Sequence, residues 1–292
     1  MASADVLRDS EPQLASVPAF VVTGASSGIG EACALRLAEL GYRVFAGVRN
    51  DEAAGRLRSR APDLLTPLHL DVSDGGSVRA AAERVAAGTG GAGLDGLVNN
   101  AGIAVAAPLE FLPLDALREQ LEINVVGQLA VTQALLPLLR TARGRIVNMG
   151  SISGRVALPF VGPYTASKFA LEALTDSLRV ELRPWGIHVA IVEPGVIATP
   201  IWKRSLAAFD AMLVRMPPQV VELYGPAMRV VRSRVSRLPG ASTDGVVQAV
   251  VHALTARRPR ARYLVGIDAR ARLMLNWMPW KLRDRAVARA LR

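Results

Sequence analysis

Residues 19–30 read Ala19-Phe20-Val21-Val22-Thr23-Gly24-Ala25-Ser26-Ser27-Gly28-Ile29-Gly30: an apolar run, a glycine-spaced turn and the start of an amphipathic segment. The run at 19–24 has the length and composition of a buried strand. Residues 28–40 follow as a helix, closed at its C-terminus by Gly41. Gly24, Gly28 and Gly30 let the turn take backbone angles closed to other residues and let a pyrophosphate approach closely. The helix N-terminus behind them offers unpaired N–H groups and a positive dipole end. A glycine pattern alone marks only a tight turn; its place between a first strand and a first helix points to a dinucleotide.

Working outward, short apolar runs alternate with longer amphipathic segments. Strands are expected at 42–48, 65–71, 94–102, 143–151, 187–195 and 261–266. Helices are expected at 51–60, 75–88, 115–140, 163–183 and 242–256. Strands separated by helices imply βαβ units and a parallel sheet covered on both faces. With right-handed crossovers this is an α/β, Rossmann-like doubly wound sheet of about seven strands. Residues 18–267 form one domain on this reading. The stretch 200–240 is too long for a simple connection and too apolar for a floppy loop. Since loops after the strands shape the ligand crevice, it is expected to form a substrate wall and lid.

Composition narrows the function. Half of the 292 residues are hydrophobic, which suits a chain with a sizeable core. One cysteine, Cys33, rules out a disulfide framework, and three scattered histidines (His69, His188, His252) make a metal site unexpected. Residues 1–17 lack a basic region leading into an apolar run, so they read as a loose tail and not a signal peptide. With no unbroken apolar stretch of ~18 residues, a cytoplasmic protein is expected. The net charge of +10 sits mostly in residues 256–292, which hold eleven Arg or Lys against two Asp. Such a cluster lacks the groove-reading or aromatic elements of a nucleic-acid binder. Residues 268–292 are expected as a basic helical tail. Trp277, Met278 and Trp280 among the cations allow a weak peripheral membrane contact.

The chain has only three lysines, Lys168, Lys203 and Lys281. Lys168 follows Tyr164 by four residues on an expected helix, so the two share a face. An ordinary tyrosine titrates near ~10, and a nearby ammonium favours the phenolate. Tyr164 then becomes a candidate acid–base group. A lone Tyr-x-x-x-Lys is more often accidental, and only its setting lends it weight.

That setting resembles the short-chain dehydrogenase/reductase family. TGASSGIG (23–30) is similar to its cofactor turn, NNAG (99–102) to its fourth-strand motif and EPGVIAT (193–199) to its nicotinamide loop. Asn124, Ser151, Tyr164 and Lys168 fall where its catalytic tetrad is expected, Ser151 thirteen residues before Tyr164. The resemblance covers residues 18–200 and continues weakly to 266. It implies an enzyme that moves hydride between a nicotinamide cofactor and an alcohol or carbonyl. Ser151 would bind the substrate oxygen, Lys168 the nicotinamide ribose, and Asn124 a proton-relaying water; the plainer role for Asn124 is to bend or anchor its helix. Ser26, Ser27, Ile29, Asn100, Ala101 and Gly102 would contact the cofactor with the glycines. Asp71 and Val72 would flank the adenine. Pro194, Gly195, Val196, Ile197 and Thr199 would close over the nicotinamide, with Glu193 beside them structural.

By family spacing Val48 holds the place where a carboxylate would accept from the NAD ribose, and valine cannot. Arg49 next to it suits a 2′-phosphate, with Ser27 as a second donor, so NADP(H) is favoured over NAD(H). Phe209, Met212, Leu213, Met216, Leu223, Tyr224 and Met228 suit an adaptable apolar pocket. They are similar in kind to those of family members acting on steroids, retinoids or fatty aldehydes, although packing the lid onto the sheet would use them equally well. The resemblance also implies a homodimer or homotetramer through the two long helices. The rival functions are a non-catalytic dinucleotide-binding redox sensor or regulator and, further off, an extended-branch epimerase or dehydratase.

Overall fold

The computed structural model describes residues 17–61, 63–237 and 240–291. The expected N-terminal tail, apart from Val17, lies outside them. Seven strands form one sheet: β1 (Ala19–Val22), β2 (Arg43–Val48), β3 (Leu65–His69), β4 (Gly96–Asn99), β5 (Arg145–Met149), β6 (His188–Pro194) and β7 (Arg262–Val265). Their order is β3-β2-β1-β4-β5-β6-β7, every pairing parallel. The winding reverses between β1 and β4, and in such sheets the crevice at the reversal takes the ligand. The strands are shorter than the apolar runs suggest. β3 stops at His69 and β4 at Asn99, which frees Asp71 and Asn100–Gly102 to turn across the strand ends.

Helices cover both faces. They are α1 (Gly28–Glu39), α2 (Asp51–Arg60), α3 (Gly75–Thr89), α4 (Leu114–Leu121), α5 (Gly127–Ala142), α6 (Gly162–Glu181), α7 (Pro200–Leu213), α8 (Gln219–Arg237), α9 (Asp244–Thr255), α10 (Ile267–Met274) and α11 (Trp280–Ala290). Alternate residues of each strand feed opposite cores. Phe20 and Val22 of β1 join Cys33 and Leu37 of α1, Leu57 of α2 and Val246 and Val250 of α9. Ala19 and Val21 join Val78 and Val85 of α3 and Val131, Leu135 and Leu139 of α5. Each fully buried leucine or valine here contributes roughly 1.5–3 kcal/mol. That two-sided burial is why β1 shows an unbroken apolar run.

The long helix expected at 115–140 is divided. A π-helical turn at Glu122–Val126 separates α4 from α5, and Asn124 sits inside it, fully buried. Such a turn re-aims one side chain without ending the helix. By length and composition the combined run Leu114–Ala142 could cross a membrane, but its α5 part supplies the second core. Residues 200–237 form the two helices α7 and α8, tied at the neck by a parallel bridge between Ile197 and Ala241. Ala198 N donates to Ala241 O, and Ala241 N to Val196 O, at 3.0 and 2.9 Å.

Candidate active site

A cavity of about 810 Å³ opens at the C-terminal ends of the strands, between the glycine turn and α7. The turn is held from behind by Asn100, whose amide donates to the carbonyls of Thr23 (3.0 Å) and Gly24 (3.2 Å). The Thr23 hydroxyl accepts from the backbone N–H of both Asn100 and Ala101 at 2.9 Å. Gly24 takes φ +65°, and a Cβ added at Gly30 would overlap the Gly24 carbonyl oxygen and the Asn100 amide. Ser27 precedes α1 but makes no side-chain cap, so the first N–H groups of that helix keep their donors for an anion. The cradle therefore fits a dinucleotide pyrophosphate. Gly24, Ser26, Ser27, Gly28 and Ile29 line it, whereas Gly30 lies behind the turn as a packing residue.

At the end of the cavity expected to take the adenine, the lining is Val48, Arg49, Asp71 and Val72. The Asp71 carboxylate accepts from Ser73 N (3.0 Å) and Ser73 Oγ (2.6 Å). The Ser73 hydroxyl is the main reason its pKa lies below the usual value. Arg49 Nη1 stands 4.0 Å from Asp71 Oδ2, and its guanidinium is largely exposed.

Ser151, Tyr164 and Lys168 meet at the cavity floor, with Asn124 beside them. Tyr164 and Lys168 share the inner face of α6, and Lys168 Nζ lies 5.7 Å from the tyrosine ring centre. The ammonium donates to the Met149 carbonyl at 2.7 Å. Burial lowers its pKa to about 8, against a raising pull from Glu172, so the amine is mostly charged at neutral pH. Burial also raises Tyr164, and the facing Ser151 hydroxyl works the other way. The sequence alone points to an ammonium that lowers Tyr164; in this structure desolvation of the phenol raises it, and the group that opposes this is the Ser151 hydroxyl. Ser151 also accepts from Ser153 N at 3.1 Å, which places Ser153 behind it.

Asn124 uses its whole side chain as an anchor. Oδ1 accepts from Ile103 N (2.9 Å), and Nδ2 donates to Ile103 O (3.0 Å) and Ser167 Oγ (3.1 Å). This favours the plainer of the two roles weighed for it. Ala101 and Gly102 line the cavity next to it, as do Pro194, Gly195, Ile197 and Thr199 across the floor. Val196 does not, because its N–H donates to Asp268 Oδ2 at 2.8 Å.

Two site residues escaped the sequence. Asp268, at the start of the presumed tail, is wedged under the loop after β6, where a Cβ at Gly195 would overlap its carboxylate. Trp202 of α7 lines the cavity and meets the Tyr164 ring edge-on, with centroids 5.7 Å apart. Neither has a local pattern that would expose it, since each acts on a partner far away in sequence. The apolar residues expected to form the pocket divide otherwise. Of them only Met212 faces the cavity; Phe209 and Met216 pack beside it on Val105, Ala107 and Leu112. Tyr224 meets the Phe111 and Phe160 rings edge-on, and Leu223 points to solvent. α8 buttresses the wall and does not line it, because it lies outside α7.

A glycine cradle at the sheet reversal, with a serine, tyrosine and lysine converging beside it, defines a nicotinamide-dependent oxidoreductase. Residues 18–208 match the family described as short chain dehydrogenase, and the chain belongs to that family. It is 40% identical to mouse "Retinol dehydrogenase 5" over 282 residues, covering 94% of this chain and 87% of that protein. It is 38% identical to human "17-beta-hydroxysteroid dehydrogenase type 6" over 277 residues, 92% and 87% of the two chains. Among solved structures, a short-chain dehydrogenase from Streptomyces avermitilis superposes with TM-score 0.76 at 31% identity, covering 92% and 94%. One from Burkholderia cenocepacia in complex with NADP superposes with TM-score 0.72 at 28% identity, covering 95% and 99%.

Proposed function

We propose that this enzyme uses NADP(H) to interconvert a lipophilic alcohol of the steroid, retinoid or fatty-aldehyde kind and its ketone or aldehyde. The observation that carries this reading is one cavity with the Ser151–Tyr164–Lys168 cluster at its floor and a largely apolar wall of Val105, Ile123, Ile201, Trp202 and Met212 beyond it. The names of the retinol and 17-beta-hydroxysteroid relatives support the substrate class. When bound, the nicotinamide supplies the hydride acceptor or donor. Tyr164 takes the proton from the alcohol oxygen, or returns it to the carbonyl oxygen. The Ser151 hydroxyl donates to that same oxygen and fixes its distance. Lys168, with its ammonium 5.7 Å from the Tyr164 ring, would favour the phenolate and hold the ribose hydroxyls. Asn124 keeps the floor beside Lys168 in place for a relaying water. Asn100 braces the pyrophosphate turn, and Thr199 and Gly195 take the carboxamide end.

Arg49 is the basis for preferring NADP(H): its guanidinium faces the adenine end with only a loose contact to Asp71, and no carboxylate follows Val48. The test of the whole reading is a screen of hydrophobic alcohols and carbonyls with NADP(H) and NAD(H), with dinucleotide binding measured by fluorescence. Turnover confined to lipophilic substrates, with tighter NADPH binding, is the expected result. Binding of NADPH with no turnover of any alcohol or carbonyl would instead favour the redox-sensor reading.

Two further features bear on partners. Phe169 and Val180 of α6 and Val126 beside α5 are exposed, which suits a homodimer or homotetramer through these helices; light scattering should then give a multiple of the chain mass. On the tail, Met274, Trp277, Trp280 and Leu282 are exposed among Arg272, Lys281 and Arg283. That pattern suits weak contact with an anionic membrane surface. Sedimentation with phosphatidylserine vesicles, lost when Trp277 and Trp280 become Ala, is the expected outcome.

A further inference from the structure

Behind the reaction centre lies a cluster of charges that the chemistry above does not use. Arg262 of β7 pairs with Glu172 of α6, reaches Glu193 Oε1 of β6 at 3.2 Å, and grips both oxygens of Asp176 at 2.8 Å. Arg155, just after the Ser151 turn, donates to the same Glu193 oxygen at 3.1 Å. Arg179 closes the outer side on Asp176 at 2.7 Å. Glu172 and Glu193 are 7% and 3% exposed, so the two glutamates are internal, while Asp176 and the arginines reach solvent. Among the described residues no donor reaches Glu172 Oε1, which is buried facing Glu193. Gly154 leaves it room, since a Cβ there would press on both the Glu172 side chain and the Lys168 carbonyl.

A buried carboxylate with an unpaired oxygen is an expensive way to hold a helix, because a neutral side chain of the same shape would avoid the desolvation. Its position suggests another use. Glu172 stands one helical turn after Lys168, on the same face. Among the described residues the Lys168 ammonium has one hydrogen bond, to the Met149 carbonyl, and Glu172 is the charge that opposes the effect of its burial. We propose that Glu172 is a positioning residue of the reaction: clamped by Arg262 behind Lys168, it keeps the buried ammonium charged and acts on Tyr164 through it. This rests on the Tyr164 chemistry proposed above.

The charged groups around Glu172 are Lys168 and Asp176 on its own helix, Glu193 from β6, Arg262 from β7 and, through Glu193, Arg155. Burial first, then the facing Glu193, push its pKa up to about 7, while Arg262 pulls it down. Because the folded value is raised above the ordinary 4.5, the protonated form suits the fold, and the stability cost builds as pH rises from there to about 7 and is complete above it. The ionised form is the one that supports Lys168.

Glu172→Gln fixes the protonated form at every pH. The experiment compares kcat/KM for alcohol oxidation and Tm for wild type, Glu172→Gln and Tyr164→Phe across pH. The two rates should agree near pH ~5.5 and separate above ~7, with wild type several-fold faster by about pH 8.5. Between pH ~5 and ~7 Glu172→Gln should gain Tm relative to wild type and keep that gain above ~7, where its rate falls behind, so activity and stability move in opposite directions. A rate ratio that is flat with pH, or a parallel loss of rate and Tm, overturns the proposal. If Glu172→Gln does not fold, Glu193→Gln supplies the reading: it removes the facing carboxylate, so the step in the wild-type profile moves to lower pH, and an unmoved step is equally fatal. Tyr164→Phe separates the two layers. If it retains turnover, the tyrosine chemistry fails; if it is inactive while the Glu172→Gln ratio stays flat, only the role of Glu172 fails.

Discussion

The glycine turn at Thr23–Gly30 and the helical pair α7–α8 bound the same cavity under opposite constraints. The turn is fixed through its backbone: the Asn100 amide spans two carbonyls, the Thr23 hydroxyl gathers two N–H groups, and Gly30 has no room for a Cβ. The helical pair is held by side chains, through Phe209, Met212 and Met216 on one side and the Tyr224 ring on the other. Much of its apolar surface, including Val214, Val221 and Leu223, faces solvent. Where backbone meets backbone, few residue types are admissible and the sequence displays a motif. Where apolar side chains meet, many combinations give similar packing, and the sequence shows only a tendency.

The sharpest break of this contrast is at Tyr164. Replacing it with Phe should cut kcat by about 10²–10⁴-fold and leave NADPH affinity nearly unchanged in a fluorescence titration; unchanged turnover would remove the tyrosine from the chemistry. Next is Gly30→Ala, which forces a methyl group into the Gly24 carbonyl. A loss of roughly 1–3 kcal/mol is expected from such overpacking, read as a lower Tm and weaker dinucleotide binding together. Arg49→Ser should weaken NADPH by about tenfold, the low end for a charge-assisted hydrogen bond at an exposed site, with little change for NADH. Equal weakening of both would end the 2′-phosphate assignment. The smallest effect belongs to α8: Leu223→Ala should change stability by no more than ~0.5 kcal/mol and leave KM for lipophilic substrates as it is. A marked rise in KM would return α8 to the pocket wall.

The fold was legible because each strand buried on both faces shows itself as an apolar run, and each amphipathic segment between strands shows a helical period. β1, β2 and β7 lie within a residue or two of where those runs place them. The glycine turn and the Tyr164–Lys168 spacing were equally visible because they are local. What stayed hidden depends on partners distant along the chain. The π-turn at Asn124 follows from its hydrogen bonds to Ile103 and Ser167. Trp202 matters because α7 folds back over Tyr164. Asp268 reads in sequence as part of a solvated tail, and only the fold brings it to the Val196 N–H as acceptor. Likewise Arg262 is one arginine among many in the sequence, and only the sheet order brings it to Glu172, Asp176 and Glu193.

The bridge between Ile197 and Ala241 has a consequence for how such an enzyme changes its diet. The helices α7 and α8 lie between those residues, beyond the end of β6, and the chain enters and leaves them at one point, so the excursion behaves as a cartridge plugged into a fixed socket. Its length can change cheaply, since each doubling of a closed loop costs only about 0.6 kcal/mol, and no strand register moves with it. A cartridge from a relative with other tastes, spliced at this neck, would meet the same tyrosine, lysine and nucleotide cradle. The hydride chemistry is thereby insulated from experiments in substrate choice.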